Sequence, residues 1–153
     1  MEIDRFNIRV YGLLTDDGKV LVTDEFRLGI LMTKFPGGGL KFGEGTIDCL
    51  KREFREELDS EIENISHYYT TDFFQPTTLL PTTMQLISIY YHVSIEKPYP
   101  FRTTEIKFDF PEMVDGAQCF RWLKINELSE EDFTFPIDKK VVSKIRNDFI
   151  RSV

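Results

Sequence analysis

The sequence predicts an α/β fold of the α+β kind, a mixed sandwich rather than a doubly wound sheet. Three observations lead there. Strand patterns cluster early and again between residues 65 and 95, an amphipathic helix follows the third strand, and a second helix closes the chain.

Residues 4–14 alternate, with Phe6, Ile8, Val10 and Leu14 on one face, as a half-buried strand does. Asp16-Asp17-Gly18 is a turn signal and Val20-Leu21-Val22 restarts a strand, which predicts a hairpin. Leu31-Met32 leads into a loop, Pro36-Gly37-Gly38-Gly39. Thr46 is the expected N-cap of the first helix, and Asp48 suits its first turn. That helix runs to about Leu58, with an apolar stripe of Ile47, Leu50, Phe54 and Leu58 and acids flanking it. Residues 65–74 and 84–95 read as strands, the second with Ile87, Ile89, Tyr91, Val93 and Ile95 on one face. Residues 75–83, QPTTLLPTT, form the loop between them. Residues 96–117 are the least regular part, and Cys119–Lys124 is a short strand around Trp122. The last helix begins near Pro136, a residue suited to the first turn, and carries Ile137, Val141, Val142, Ile145 and Phe149.

Composition bounds the function. At 153 residues, with 41% apolar residues and 14 phenylalanines, one domain spanning 1–153 with one core is expected. No apolar run approaches the ~20 residues of a membrane span, and the acidic, alternating N-terminus is unlike a secretory signal, so a cytoplasmic protein is expected. Cys49 and Cys119 are too few for a disulfide framework and read as reduced. The net charge of −7 argues against an extended nucleic-acid partner and leaves a small polyanion open, provided divalent cations accompany it.

The chemistry concentrates between Gly38 and Glu57. Glu53, Glu56 and Glu57 stand at i, i+3 and i+4, spacings that bring them to one face of a helix, where like charges repel. A hard cation such as Mg²⁺, bound through oxygen ligands, would relieve that repulsion. The glycines just before the helix allow close backbone approach, and a helix start favours an anion. Carboxylates for a cation beside a loop fit for phosphate point to metal-assisted attack on a phosphoanhydride.

The pattern Gly38-x5-Glu44-x7-Arg52-Glu53-Phe54-x-Glu56-Glu57 resembles the signature of the Nudix hydrolases, which cleave nucleoside diphosphates linked to another moiety. Phe54 fills a position that the family gives to a bulky aliphatic residue. Asp59 and Ser60 stand where the family has glycine and an aliphatic residue. The resemblance implies a Nudix-like α/β/α sandwich, with a mixed sheet and the signature as a loop-helix-loop. It implies an Mg²⁺- or Mn²⁺-dependent pyrophosphohydrolase with Glu53, Glu56, Glu57 and the Gly37 carbonyl as metal ligands. Glu53 and Glu57 are its central catalytic acids, Arg52 orients a neighbouring glutamate, and Glu44 holds the loop.

Several assignments stay open at this level. A family glutamate before the late tryptophan falls near Gln118, which cannot act as a base, leaving Glu112, Asp115 or Glu53 itself to activate water. Arg27 and Lys41 are rival phosphate contacts. Tyr99, Phe101, Phe108 and Phe110, with Arg102, are either a recognition surface for the rest of the substrate, a core cover, or a homodimer contact. His67 and His92 lack companions at metal-ligand spacing. A catalytically silent Nudix-fold binding or regulatory domain is the alternative function, against which the intact acid set argues.

Overall fold

The computed structural model describes residues 2–78 and 83–152. Its fold class is the expected one, a mixed α+β arrangement with a mixed sheet and two helices. The chain contacts divide it into two compact units, Met1–Leu14 with Pro36–Phe101, and Thr15–Phe35 with Arg102–Val153.

The first unit is built on β1 (Phe6–Asp16), which continues past Leu14 into the second. β1 pairs antiparallel with β4 (Gly37–Gly39) and parallel with β6 (Gln85–Ser94), and β6 pairs antiparallel with β5 (Glu63–Thr70). The predicted strand at 65–74 thus begins and ends earlier. The loop predicted over 75–83 lies partly outside the described residues, at 79–82; within it Pro76 bridges to Gln85.

Two corrections follow from how completely this sheet is covered. Val10 and Leu14 are buried as expected, but Tyr11 and Leu13 on the opposite face are buried too, and Phe6 is 62% exposed. On β6, Ser88 and Tyr90 are buried while Ile87 and Ile89 are half-buried, so neither strand has the single apolar face the alternation implied.

The Pro36–Gly39 segment is the larger departure. It was expected as a loop, yet Gly37, Gly38 and Gly39 lie in register opposite Tyr11, Val10 and Arg9. Flanking bonds extend the ladder, from Gly12 N to Pro36 O and from Leu40 N to Ile8 O, both 2.9 Å. Only glycine fits at 37, because a Cβ there would sit 2.1 Å from the Val10 carbonyl oxygen.

Helix α1 (Thr46–Leu58) matches its predicted span. Its N-cap is Gly45, not Thr46; the Gly45 amide donates to Asp48 Oδ2 at 2.9 Å, and the Thr46 hydroxyl instead meets the Tyr91 hydroxyl at 2.6 Å. The buried face is Cys49, Leu50, Phe54 and Leu58, while Ile47, expected on it, is 41% exposed. Phe54 packs on the sheet through Gly12, whose missing Cβ would lie 2.6 Å from the ring. Each such side chain contributes on the order of 1.5–3 kcal/mol by leaving water.

The helix ends on Asp59 in the left-handed region, φ 49°, with Asp59 N donating to Arg55 O and Ser60 N to Phe54 O. This is the role the family gives to glycine. Asp59→Gly is therefore expected to raise stability by about 0.5–1 kcal/mol; urea midpoints measure it, and an unchanged or lower midpoint would mean that Asp59 contributes something besides the turn.

The second unit holds an antiparallel sheet in which β2 (Lys19–Arg27) lies between β3 (Ile30–Lys34) and β7 (Ala117–Lys124). β2 starts from the predicted hairpin. Thr15 and Asp16 pair with Val20 and Lys19 around Asp17 and Gly18, both at positive φ. Strand β7 begins two residues before the predicted Cys119. Helix α2 (Pro136–Arg151) opens on proline as expected and buries Ile137, Val141, Val142 and Ile145 against turns at Ile125–Glu127 and Glu130–Asp132.

Candidate active site

The signature folds around Arg52. Its Nε donates to Glu44 Oε2 at 3.0 Å and its Nη2 to Glu44 Oε1 at 2.7 Å, a bidentate pair. Nη2 also reaches the Gly39 carbonyl at 3.0 Å. Nη1 donates to Glu53 Oε1 at 2.8 Å and lies 3.4 Å from Glu56 Oε2. One guanidinium therefore ties together the loop, the glycine strand and two of the helix acids. Glu44 returns to the loop, accepting from the Lys41 amide at 2.8 Å.

Glu53 is far more enclosed than Glu56. Its side chain is 13% exposed, against 55% for Glu56, and Glu57 is half-buried. The Glu53 carboxylate lies against the α-carbon of Gly38, where an added Cβ would fall 2.4 Å from Oε1. Gly38 is thus required by close approach, as Gly37 is by the strand. The mutual repulsion expected of the three acids is offset for two of them by Arg52.

Two titrations follow from this packing. The Arg52 hydrogen bonds hold the Glu44 carboxyl down at about 2, from an ordinary 4.5. A depressed folded value stabilises the fold above the unfolded value, and that contribution is lost as pH falls from about 4.5 through about 2. The Glu44 carboxyl carbon should titrate by NMR near pH 2; a midpoint near 4.5 would mean that the clamp is absent. Cys49 is buried, with Sγ 3.5 Å from the Gly39 carbonyl oxygen, and burial pushes its thiol up to about 12. It packs on the buried face of α1 with Leu50 and Phe54.

The expected metal ligands have the chemistry for a hard cation, three carboxylates and backbone carbonyls. In the conformation described, Glu53 and Glu56 are turned to Arg52. No three His, Cys, Asp or Glu side chains among the described residues converge on one point. The donor set fits a divalent cation, therefore, while the side-chain arrangement is the arginine-bridged one.

The remaining candidates divide between the units. Lys41 is exposed on the first unit's loop. Tyr99 and Phe101, also in the first unit, stack on each other with centroids 5.2 Å apart and planes at 20°. His67 meets Thr70 at 2.8 Å, and His92 meets the Tyr68 ring, so both have local strand roles. Arg27, Arg102, Phe108, Phe110, Glu112, Asp115 and Gln118 belong to the second unit. The base candidate Asp115 accepts from the Leu28 amide at 2.7 Å. Gln118, at the place of the family's glutamate, donates to the Thr23 hydroxyl at 3.0 Å.

The sequence reading missed the charges inside β2. Asp24 is fully buried, bound by Arg121, by the Thr33 hydroxyl at 2.7 Å and by the Phe108 amide at 3.1 Å. Glu25 is buried beside Lys34. The signal was there, as charged residues interrupting a strand pattern in TDEFR.

The NUDIX domain family model matches residues 5–145. The chain belongs to the Nudix family. Membership carries the enzyme class, a hydrolase acting on phosphoric anhydride bonds, in a family that generally uses divalent metals. No curated protein matches the chain. Among solved structures, the chain is similar to a MutT NUDIX hydrolase from Burkholderia pseudomallei. The TM-score is 0.66 at 12% identity, covering 92% of this chain and 98% of that one. A NUDIX hydrolase from Nitrosomonas europaea gives 0.62 at 18% identity, covering 94% and 90%. A DNA mismatch repair protein MutT from methicillin-resistant Staphylococcus aureus 252 gives 0.56 at 23%, covering 95% and 99%. At these identities the likeness is one of fold.

Proposed function

We propose that residues 1–153 act as one Mg²⁺- or Mn²⁺-dependent pyrophosphohydrolase that cleaves the diphosphate of a nucleoside diphosphate linked to another moiety. The observation that carries this reading is the Arg52 hub, which sets Glu53 against Gly38 and ties both to Glu44. A purely structural helix face has no need for an acid enclosed against a glycine strand.

Glu53, Glu56, Glu57 and the Gly37 carbonyl would hold the cation, which supplies charge neutralisation at the phosphate oxygens. Arg52 keeps Glu53 in place, a positioning task suited to a rigid guanidinium fork. A carboxylate of the set takes a proton from the attacking water, whose oxygen bonds to phosphorus as the bridging P–O bond breaks. Lys41 and Arg27 are proposed phosphate contacts, and Tyr99 and Phe101 a stacking surface for the remaining moiety. The free cysteines Cys49 and Cys119 support a reducing, cytoplasmic setting, and no described helix is long and apolar enough to cross a membrane.

The test is hydrolysis of a panel of nucleoside diphosphate derivatives with and without Mg²⁺, with products identified. Release of two phosphate-bearing products only when metal is present is expected. Binding without turnover across the panel would reverse the reading in favour of a silent domain.

A further inference from the structure

The second unit contains a cluster that this chemistry leaves unexplained. Thr23, Glu25 and Arg27 alternate onto one face of β2. Glu25 is 1% exposed. Its Oε1 accepts from Arg27 Nε at 3.0 Å, and its Oε2 lies 3.2 Å from Lys34 Nζ. The Gln118 amide and the Thr23 hydroxyl stand 3.5 Å from the same Oε2. Lys34 arrives from β3 opposite Thr23, and Gln118 from β7 opposite Glu25, so three strands converge on one carboxylate.

Burying such a pair is not a stability device by itself, since apolar residues of similar volume often serve as well. Two features indicate what it is for. Two cations share one carboxylate, so Arg27 does not have the charge of Glu25 to itself. Arg27 is also engaged only through Nε among the described residues, and its side chain is 58% exposed. The carboxylate of the adjoining turn, Asp115, is taken up by the Leu28 amide.

We infer that Glu25 is a positioning residue that holds Arg27 by its Nε edge, so that both terminal nitrogens present a fork to a phosphoryl anion. Lys34 and Gln118 fix the other oxygen of Glu25 and stop it from turning. A guanidinium held this way loses little freedom on binding two oxygens, which a lysine could not match. That the anion is a phosphate of the substrate rests on the proposed function; the anion contact itself does not.

Calorimetric titration with inorganic pyrophosphate in EDTA tests the contact, because the helix acids then hold no cation. Wild-type protein should bind saturably. R27Q should bind about tenfold more weakly with an unchanged melting temperature, and R27K should recover only part of the loss. E25Q/K34M removes both buried charges and leaves the cluster's net charge unaltered; it should melt close to wild type yet bind weakly, which a mere core pair would not cause. Binding at wild-type strength by R27Q, or by a folded E25Q/K34M, overturns the inference, as does absence of binding by wild type. With a hydrolysed substrate, R27Q should raise KM while kcat stays within a few-fold; an unchanged KM beside lost pyrophosphate binding overturns the assignment to substrate.

Discussion

Glu57→Gln and Glu53→Gln should each lower hydrolysis on the order of 100-fold or more, because each removes a charged group where charge must be neutralised in the transition state. The two variants should differ in detail. Glu53 shares Arg52 with Glu44 and Glu56, so its neutralisation leaves the hub partly intact, with the bidentate Glu44 pair still made. Lys51→Gln, a change on the same helix outside the acid set, should retain activity within a few-fold. The check is a set of initial rates in Mg²⁺ and in EDTA. Wild-type rates that are equal in the two would remove the metal-assisted mechanism altogether.

Phe54→Ala should cost about 3–5 kcal/mol of stability. Phe54 has no exposed surface, and its ring lies closest over Gly12, 2.6 Å from where a Cβ would stand, with Val93 next at 3.3 Å. The neighbouring acids should behave differently. Glu56 is 55% exposed and meets Arg52 only at 3.4 Å, so Glu56→Gln should change stability by less than about 0.5 kcal/mol. Thermal melts in EDTA separate the two. A lower melting temperature for Glu56→Gln than for Phe54→Ala would contradict the assignment of helix faces.

Those two expectations rest on the part of the molecule most legible in the sequence. The span of α1, the turn at Asp17-Gly18 and the proline start of α2 were readable because each is fixed by local chemistry: helical periodicity, positive-φ residues and a preset φ. The acids and Arg52 were readable because their spacing follows helix geometry. What could not be read depends on partners distant in sequence. Glycines have low strand preference, and β4 exists only because β1 offers a ladder to it. Tyr11 and Leu13 read as the outward face of β1 until both faces proved to be covered. Ile47 fits the helical period, but it falls in the first turn and is 41% exposed. That Glu25 and Lys34 meet was not legible, because it depends on how β3 and β7 pair with β2.

The pairing of β4 with β1 bears on how this site can change. The backbone next to Glu53 is held by the same ladder that organises the first unit's sheet, from Leu40 N on Ile8 O to Gly12 N on Pro36 O. Its amides should therefore exchange with deuterium only in the rarest openings, close to those of global unfolding, while the amides of residues 96–116 exchange through local fluctuation. Mass-spectrometric exchange that found Leu40 as fast as those residues would contradict this. A site so anchored cannot acquire a new substrate by loosening its floor. A change in what is hydrolysed would have to come from side chains that the ladder does not constrain.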